Sequence, residues 1–221
     1  LEFRRVLFRS NIGMAGNEEM YWAVTEFDAC AGIEVTASHN PINYNGMKIV
    51  KSHSRPLDDA DDFQMIKSLA GSQEWLIGAE IGKELDRSEV ARKAYVDRVL
   101  SFVDVKALRP LKIVVNSGNG AAGPTFDAIA HRLLELGAPL EFVRVHHTPD
   151  ATFPNGIPNP LLPENHLATA DVVEAERADF GVAFDGDFDR CFFFDATGQF
   201  VPGEYVIGLL DRKSTRLNSS H

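Results

Sequence analysis

Short apolar blocks alternate with longer amphipathic segments through the second half of the chain. The blocks have the length and the Val, Ile and Phe content of buried strands, and the amphipathic segments have helical spacing. The predicted strands are residues 111–116, 140–145, 180–184 and 191–195, the last one paired with a neighbour. Helices are predicted at 124–136, with Pro124 in the first turn and Gly137 at the end, and at 164–178. The pattern predicts an α/β fold in which mixed or mainly parallel sheets are sandwiched by helices.

The first half of the chain shows the same two periods with more polar residues between them. The predicted elements are a helix at 17–30, strands at 32–36 and 47–50, and helices at 58–70 and 88–103. In the helix at 88–103, Ser88 is the expected N-terminal cap. The residues predicted to face inward are Leu57, Ile66 and Leu69 for the helix at 58–70, and Val90, Ala94, Val96, Val99, Leu100 and Val103 for the helix at 88–103.

A boundary between two domains is predicted after the helix at 88–103, near residues 107–110. A proline-rich connection at 148–163 lies within the second domain, and long ordered loops of this kind are usually functional. The two ends of the chain differ from the rest. Residues 1–10 and 212–221 are rich in Arg, Lys or Ser and lack an apolar period, so we interpret both as flanks foreign to the fold.

The composition narrows the possible functions of the chain. Its 221 residues carry a formal charge of −10 and a pI near 5.1, which argues against a nucleic-acid or anionic membrane surface. No apolar run reaches the ~18 residues of a membrane span. The two cysteines, Cys30 and Cys191, lie far apart between apolar neighbours and are predicted to be buried, reduced thiols of a cytoplasmic protein.

The first candidate for chemistry is Ser38, in the run Thr36-Ala37-Ser38-His39-Asn40-Pro41 after a predicted strand. Pro41 fixes its own φ and moves Asn40 out of the α region, which forces a turn. A hydroxyl at a strand end, beside an imidazole and free backbone N–H groups, can carry a phosphate. Taken alone, these six residues favour an ordinary polar turn over a phosphate-carrying serine.

A glycine-rich turn follows the strand at 111–116. Residues 118–123 (GNGAAG) match the G-x-G-x-x-G pattern of dinucleotide-binding turns. The acidic residue expected about twenty positions further on is absent, because the next strand ends at Val145-His146-His147. The simpler interpretation is that these glycines allow a tight strand-to-helix turn.

The second candidate is the acidic loop Asp185-Gly186-Asp187-Phe188-Asp189-Arg190. In extended backbone, positions i, i+2 and i+4 point to the same side, so the three carboxylates would repel one another without a cation between them. Hard oxygen ligands suit Mg²⁺, and Arg190 adds a fixed fork for phosphate. Gly186 is expected to let the chain bend. The spacing does not fit an EF-hand, and a solvated acidic turn is the remaining alternative.

Together these motifs resemble the α-D-phosphohexomutase superfamily, nearest to its bacterial phosphomannomutase/phosphoglucomutase type. The matching stretches are 32–48 (GIEVTASHNPINYNGMK), 114–125 (VVNSGNGAAGPT), 148–163 (TPDATFPNGIPNPLLP) and 183–194 (AFDGDFDRCFFF). The resemblance implies a multi-domain fold in which residues 11–104 are the later part of domain I and 105–202 the whole of domain II. Residues 203–211 would begin domain III.

The resemblance also implies an isomerase. The enzyme would interconvert hexose 6-phosphate and hexose 1-phosphate, with mannose as the expected sugar. Ser38 would be the phosphoserine that donates and accepts the phosphoryl group. The intermediate would be a hexose bisphosphate, which would also serve as activator. One Mg²⁺ would be held by Ser38, Asp185, Asp187 and Asp189. His39 and Lys48 would assist proton transfer, and Arg190, Lys48 and Asn40 would bind phosphate. The only partner implied is the phosphosugar, with no obligate protein partner.

The sequence departs from the family pattern by lacking the sugar-recognising Gly-Glu-x-Ser-Gly-His loop and the Arg/Ser/Thr-rich phosphate loop. We therefore expect the chain alone to be at best a trace mutase. Two other functions stay open from the residues: a non-catalytic Mg²⁺- or Ca²⁺-binding module in which Ser38 is only a turn residue, and a dinucleotide-dependent oxidoreductase.

Overall fold

A computed structural model of the chain describes residues 8–72 and 82–218. The chain forms two compact units. The first contains the residues up to Thr36 together with Gly46–Arg98, and the second contains Ala37–Asn45 together with the residues from Val99 onward. The segment with Ser38 therefore belongs to the same unit as the acidic loop.

The first unit is built on a small antiparallel sheet covered by a helix. Its strands are β2 (Ala31–Val35), β3 (Met47–Lys51) and β4 (Arg55–Pro56), with Ile33 opposite Ile49. Helix α1 (Asn17–Glu26) buries Met20 and Val24 against Val50 of β3. A Cβ on Gly32 would overlap Val24, so this glycine allows the close approach of helix and sheet.

A second, parallel pair of strands completes this unit. Strand β1 (Phe8–Asn11) pairs with β5 (Lys83–Asp86). Residues 8–10 thus take part in a strand, although the sequence analysis left them outside the fold. Helix α2 (Gln64–Ser72) follows one π-helical turn at Asp59–Phe63, and α3 (Ser88–Leu100) runs to the boundary of the two units.

Several helix predictions for this half of the chain were wrong in detail. Helix α1 ends four residues early, where Asp28 adopts a φ of 48°. Leu69 is 51% exposed, whereas Asp62 is buried and accepts a hydrogen bond from Lys51. Of the residues predicted to face inward at 88–103, Val96 and Leu100 are buried as predicted. Val90 is exposed and Ala91 is buried in its place, and Val103 is exposed beyond the end of α3.

The start of α3 also differs from the prediction. The Asp86 carboxylate, not Ser88, accepts the first backbone N–H of the helix, which is that of Ser88 (2.9 Å), and it accepts the Ser88 hydroxyl as well (2.7 Å). Asp86 therefore satisfies an N–H group that has no partner within the helix.

The second unit contains a five-stranded mixed sheet. Its strands are β6 (Leu111–Asn116), β7 (Leu140–Val145), β8 (Phe180–Phe184), β9 (Cys191–Phe194) and β10 (Phe200–Val201), in the order β10-β9-β8-β6-β7. Strand β6 is parallel to both β7 and β8, and the other pairs are antiparallel. The α/β class is confirmed, and three of the four predicted strands of this unit have the predicted limits.

Three helices accompany this sheet: α4 (Ala122–Glu135), α5 (Leu167–Glu176) and α6 (Gly203–Asn218). Helix α4 begins two residues before the predicted start, and Gly137 follows its end with a φ of 81°. Helix α5 is shorter than predicted, because a separate 3₁₀ turn precedes it and Arg177 ends it in the left-handed region. None of the helices within residues 8–72 and 82–218 has both the length and the apolar character of a membrane span.

The core of the second unit lies between α5 and the sheet. Val173 of α5 is fully buried with Val114, Ala183 and Phe194 from the strands. The cysteines are not part of this core. Cys30 and Cys191 are both free and exposed as residues; Cys30 lies just before β2, and Cys191 opens β9 at the end of its ladder with β8. The prediction of a buried thiol is wrong for Cys30, whereas burial of the Cys191 thiol raises its pKa to about 12.

The sheet order places one edge of this unit in position to hold a ligand. The chain goes from β6 to β7 on one side and then returns to β8 on the other side of β6. Loops that leave the carboxyl ends of such strands diverge, and α/β proteins commonly bind ligands there. The acidic loop follows the carboxyl end of β8, and the glycine-rich turn follows that of β6.

Candidate functional site

The loop that carries Ser38 is held by its own backbone. The backbone N–H and the side-chain Nδ2 of Asn40 both donate to the carbonyl of Ala37, at 3.0 and 2.8 Å. The N–H of Tyr44 closes a second turn on Pro41 (2.9 Å). Ser38 itself has a φ of 54°, a conformation that costs a non-glycine residue free energy and is enriched at active sites. In this structure Asn40 shapes the loop.

The Ser38 hydroxyl has three polar neighbours. Its Oγ lies 3.0 Å from His39 Nδ1 and 3.3 Å from Asp185 Oδ2, and Arg190 Nη2 donates to it at 3.2 Å. Arg190 Nη2 also donates to His39 Nδ1. A guanidinium only donates, so Nδ1 must be the unprotonated nitrogen of the ring. A ring nitrogen has one lone pair, so His39 Nδ1 accepts the Ser38 proton only when Arg190 does not donate to it.

The three acidic side chains lie together as their spacing predicts. Asp185, Asp187 and Asp189 each offer an oxygen, and these oxygens lie within 4.8 Å of one another. Asp185 (0% exposed) and Asp187 (3%) are buried, and Asp189 is exposed. Burial and the charge of Asp187 raise the pKa of Asp185, and the neighbouring Arg190 opposes the rise. A cluster of hard carboxylate oxygens, two of them buried, fits a divalent cation such as Mg²⁺.

Arg190 joins the acidic loop to the serine. Its backbone N–H donates to Asp185 Oδ1 (3.1 Å), and its Nε and Nη2 both donate to Asp185 Oδ2 (2.9 and 2.5 Å). Nε is also 3.5 Å from Asp189 Oδ1. The same guanidinium thus contacts two of the carboxylates and, through Nη2, the hydroxyl of Ser38.

Two glycines allow three loops of this unit to stack. A Cβ on Gly186 would overlap the carbonyl oxygen of Ser38, and a Cβ on Gly120 would overlap the carbonyl oxygen of Gly186. The N–H of Ala121 donates to that same Gly186 oxygen (2.9 Å). Gly186 lies in the turn that follows β8, where the N–H of Phe188 donates to the carbonyl of Asp185 (3.1 Å), so the chain bends there as predicted. The positive φ of this loop belongs to Phe188 (41°), and Gly186 also provides space for the neighbouring loops.

The glycine-rich turn is filled by protein. A Cβ on Gly118 would overlap Pro158, and one on Gly123 would overlap the carbonyl oxygen of His147. Backbone from neighbouring loops thus lies where the turn would have to approach a dinucleotide. Of the three glycines in this turn only Gly118 has a positive φ, 57°, and Asn119 next to it has the same φ. The glycine-rich turn is connected to the site of Ser38 through the acidic loop, because Gly120 packs against Gly186 and the N–H of Ala121 donates to the Gly186 carbonyl.

Sequence reasoning missed a polar chain that supports this turn. Ser117 Oγ lies 3.2 Å from His147 Nδ1, and His147 Nε2 lies 2.9 Å from Asp127 Oδ2. Arg144 Nε donates to the other Asp127 oxygen at 2.8 Å. Ser117 is fully buried, which excludes it as a nucleophile for an external substrate. The sequence feature that could have indicated this polar chain is the pair His146-His147 after β7, because polar side chains at the end of a buried strand need hydrogen-bonding partners.

Lys48 lies on the first unit. It is half-buried at the second position of β3, opposite Glu34 of β2. The other predicted site residues, which are Ser38, His39, Asn40, Asp185, Asp187, Asp189 and Arg190, all belong to the second unit.

Comparison with known proteins decides the family. The model for alpha/beta/alpha domain I of phosphoglucomutase/phosphomannomutase matches residues 8–74, and the model for domain II matches residues 93–198. The chain belongs to the phosphoglucomutase/phosphomannomutase family. Two domains of that family thus lie in tandem here, and the resemblance seen in the motifs is confirmed.

Individual members of the family agree with this assignment. A phosphomannomutase of Salmonella montevideo is 52% identical over 200 residues, which cover 90% of this chain and 44% of that protein. A protein of Xanthomonas campestris named phosphohexose mutases is 49% identical over 90% of this chain and 43% of its own length. A family structure from Burkholderia thailandensis superposes with a TM-score of 0.77 at 30% identity, covering 95% of this chain and 44% of that one. The chain thus spans less than half the length of these relatives.

Proposed function

We propose that this chain carries the phosphoryl-transfer centre of a phosphohexomutase, an enzyme that interconverts hexose 6-phosphate and hexose 1-phosphate. The observation that supports this most is the environment of Ser38. A hydroxyl within 3.3 Å of an imidazole nitrogen, a buried carboxylate and a guanidinium is equipped to accept and return a phosphoryl group. An ordinary polar turn has no need of these three groups.

The chain's own residues account for each bond change in the proposed transfer. Ser38 Oγ attacks a phosphorus atom of a hexose bisphosphate, and His39 Nδ1 takes the hydroxyl proton. The new bond joins Oγ to phosphorus, and the bond from phosphorus to the sugar oxygen breaks. That oxygen leaves with the proton held by His39, which gives phosphoserine and a hexose monophosphate. The reverse step, on the other hydroxyl of the turned sugar, returns the phosphoryl group.

The acidic loop is proposed to hold one Mg²⁺. Asp185, Asp187 and Asp189 would bind it, together with an oxygen of the group on Ser38. When bound, the ion would supply Lewis acidity to the transferring phosphoryl group. Arg190 adds a fork of N–H donors, one of which, Nη2, lies 3.2 Å from Ser38 Oγ, and such a fork suits the oxygens of a phosphate.

The finer assignments follow the sequence motif and the relatives. The resemblance of the motif suggests that Lys48 assists proton transfer and binds phosphate. It also suggests that Asn40 binds phosphate. Mannose phosphates are the proposed substrates because the relative at 52% identity is a phosphomannomutase. A hexose 1,6-bisphosphate is the proposed activator. The net charge of −10 agrees with a small phosphosugar, not a nucleic acid, as the partner, and the two free cysteines agree with a cytoplasmic location.

The test is intact-protein and peptide mass spectrometry after incubation with glucose 1,6-bisphosphate and Mg²⁺. We expect one phosphate on Ser38. It should be lost in Ser38→Ala and in Asp187→Asn, and it should remain in Ser101→Ala, a matched change at an exposed serine of the same unit.

Two other outcomes of this experiment would contradict the proposal. Phosphate that persists in Ser38→Ala would show that another residue carries the group. A protein that binds Mg²⁺ but never takes up phosphate, even when joined to the rest of a relative, would favour the non-catalytic cation-binding module. The carboxylate cluster alone supports that second function.

A further inference from the structure

Arg190 and the proposed metal ion need the same carboxylate. Both side-chain nitrogens that Arg190 directs at Asp185 donate to Oδ2, and its backbone N–H donates to Oδ1. Nε is also near Asp189 Oδ1 at 3.5 Å. A guanidinium so placed uses much of the acceptor capacity of Asp185, and it sets a fixed positive charge beside the three oxygens that would bind a divalent cation.

Arg190 also contacts the Ser38 hydroxyl, the position at which a phosphate would compete with Asp185 for the guanidinium. Nη2 is 2.5 Å from Asp185 Oδ2 and 3.2 Å from Ser38 Oγ, so one nitrogen already touches both. A phosphate on Ser38 would add a nearly dianionic group with three strong acceptor oxygens beside that nitrogen. Arginine binds phosphate through two parallel hydrogen bonds to two oxygens, whereas Asp185 offers Nε and Nη2 only one shared oxygen, Oδ2, so a phosphate would give the guanidinium more acceptors.

We propose that Arg190 and the divalent cation compete for Asp185, and that phosphorylation of Ser38 ends the competition by drawing the guanidinium from the carboxylate onto the phosphate. This inference rests on the proposed function, because it takes Ser38 as the phosphorylated residue. Arg190 then has a role beyond holding phosphate. It makes cation affinity depend on the state of Ser38 and keeps the buried Asp185 neutralised when Ser38 is unmodified.

The competition has a consequence that a phosphate-binding role alone does not have. Without phosphate, removal of the guanidinium should tighten cation binding, although it removes a hydrogen-bonding partner from the site. The coupling between cation binding and phosphorylation of Ser38 is reciprocal. The part of this coupling that depends on Arg190 must therefore disappear when Arg190 is replaced. The phosphate's own attraction for the cation remains in every variant.

The experiment measures Mn²⁺ affinity by electron paramagnetic resonance of the free ion, without any turnover. The proteins are the 221-residue chain, Arg190→Gln, Arg190→Lys, Asp187→Asn and Arg132→Gln. Each is made with Ser38 and also with phosphoserine introduced at position 38 during translation. Arg132→Gln removes one charge from the same unit at an exposed pair with Glu135, so it controls for net charge.

With unmodified Ser38, we expect Arg190→Gln to bind Mn²⁺ about tenfold more tightly than the parent chain, and Arg132→Gln to match the parent. Arg190→Lys keeps the charge but not the fork and should fall between them. The gain in affinity from phosphoserine should be about tenfold smaller in Arg190→Gln than in the parent. Thermal unfolding with and without Mn²⁺ verifies that each variant is folded.

The contrary results separate this inference from the proposed function. If Arg190→Gln and Arg190→Lys bind Mn²⁺ no more tightly than the parent, while Asp187→Asn abolishes binding, the competition is overturned and the metal site stands. If folded parent and variants bind no Mn²⁺ in either state of Ser38, the metal site and the competition are both overturned.

Discussion

At Gly186 the acidic loop packs against the backbone of the Ser38 loop, because an added Cβ would overlap the carbonyl oxygen of Ser38. Substitution by alanine would force backbone apart, since the obstructing atom is not the end of a flexible side chain. We expect Gly186→Ala to cost about 1–3 kcal/mol of unfolding free energy, the usual range for overpacking. It should also remove the phosphate that Ser38 takes from glucose 1,6-bisphosphate. Urea unfolding and mass spectrometry measure the two effects.

A matched glycine in the same unit provides the control. Gly208 lies inside α6 with no atom near the position of an added Cβ. Gly208→Ala should be neutral or stabilising by up to about 1 kcal/mol, because alanine is the better helix former. A Gly186→Ala protein as stable and as readily phosphorylated as the parent would refute the close packing of the two loops.

Asp127 gives the polar chain beneath the glycine-rich turn a dependence on pH. Burial alone would raise the pKa of Asp127, but hydrogen bonds from His147 and Arg144 lower it below the ordinary value of 3.8. A carboxyl whose pKa is lower in the folded state stabilises the fold above the unfolded pKa, and this is lost as pH falls through the folded pKa. Asp127→Asn should therefore be less stable than the parent at pH 7, and the difference should shrink below about pH 4. Urea midpoints from pH 7 to pH 3 measure it, and a constant difference would contradict the assignment.

Strands were the elements that the sequence predicted best. Strands β6, β7 and β8 have the predicted limits, because each is a short apolar block beside a residue that cannot continue it. Helix ends were less accurate, since they depend on single residues. Arg177 ends α5 in the left-handed region, and Asp86 takes the capping role expected of Ser88. These choices follow from local hydrogen bonds that a periodicity of apolar residues does not contain.

Strand β9 supplies the most deeply buried aromatic side chain of the sheet. Phe194 is 1% exposed and meets Phe200 and His166 edge-on. We expect Phe194→Ala to lower the unfolding free energy by about 3–5 kcal/mol, as is typical of a buried Phe. Phe102, at 72% exposure, offers the matched change in the same unit, and Phe102→Ala should cost less than about 0.5 kcal/mol. Similar losses in both variants would contradict the assigned core.

At the scale of the whole molecule, the site was predictable in part. Ser38 and the three aspartates carry their chemistry in local motifs, and the spacing of the carboxylates indicated a common side. The contact of Gly186 with Ser38 joins positions that are far apart in sequence, and so do the bonds from His147 to Ser117 and Asp127. No local pattern encodes such contacts, because they exist only once the sheet order brings the loops together.

The length of the chain bears on how much of a catalytic cycle it can perform. It spans 44% of the Salmonella phosphomannomutase that it matches, and its sequence lacks the Gly-Glu-x-Ser-Gly-His sugar loop. Binding energy from parts of a substrate far from the reacting atoms drives transfer reactions of this kind. We therefore expect the 221-residue chain to take up phosphate on Ser38 while showing at best trace interconversion of mannose 6-phosphate and mannose 1-phosphate.

A chimera separates the competence of this centre from the contribution of the remaining domains. The 200 matched residues of the Salmonella enzyme are replaced by those of this chain, which is feasible at 52% identity. If the centre is intact, the chimera should turn over mannose phosphates about a hundredfold faster than the chain alone, the scale on which loss of substrate positioning acts. Ser38→Ala and Asp187→Asn in the chimera should each remove that gain, and Ser101→Ala should keep it. A folded chimera that stays inactive while the parent Salmonella enzyme is active would mean that the residues around Ser38 no longer support transfer. Equal, high turnover by the isolated chain would instead show that the other domains are dispensable.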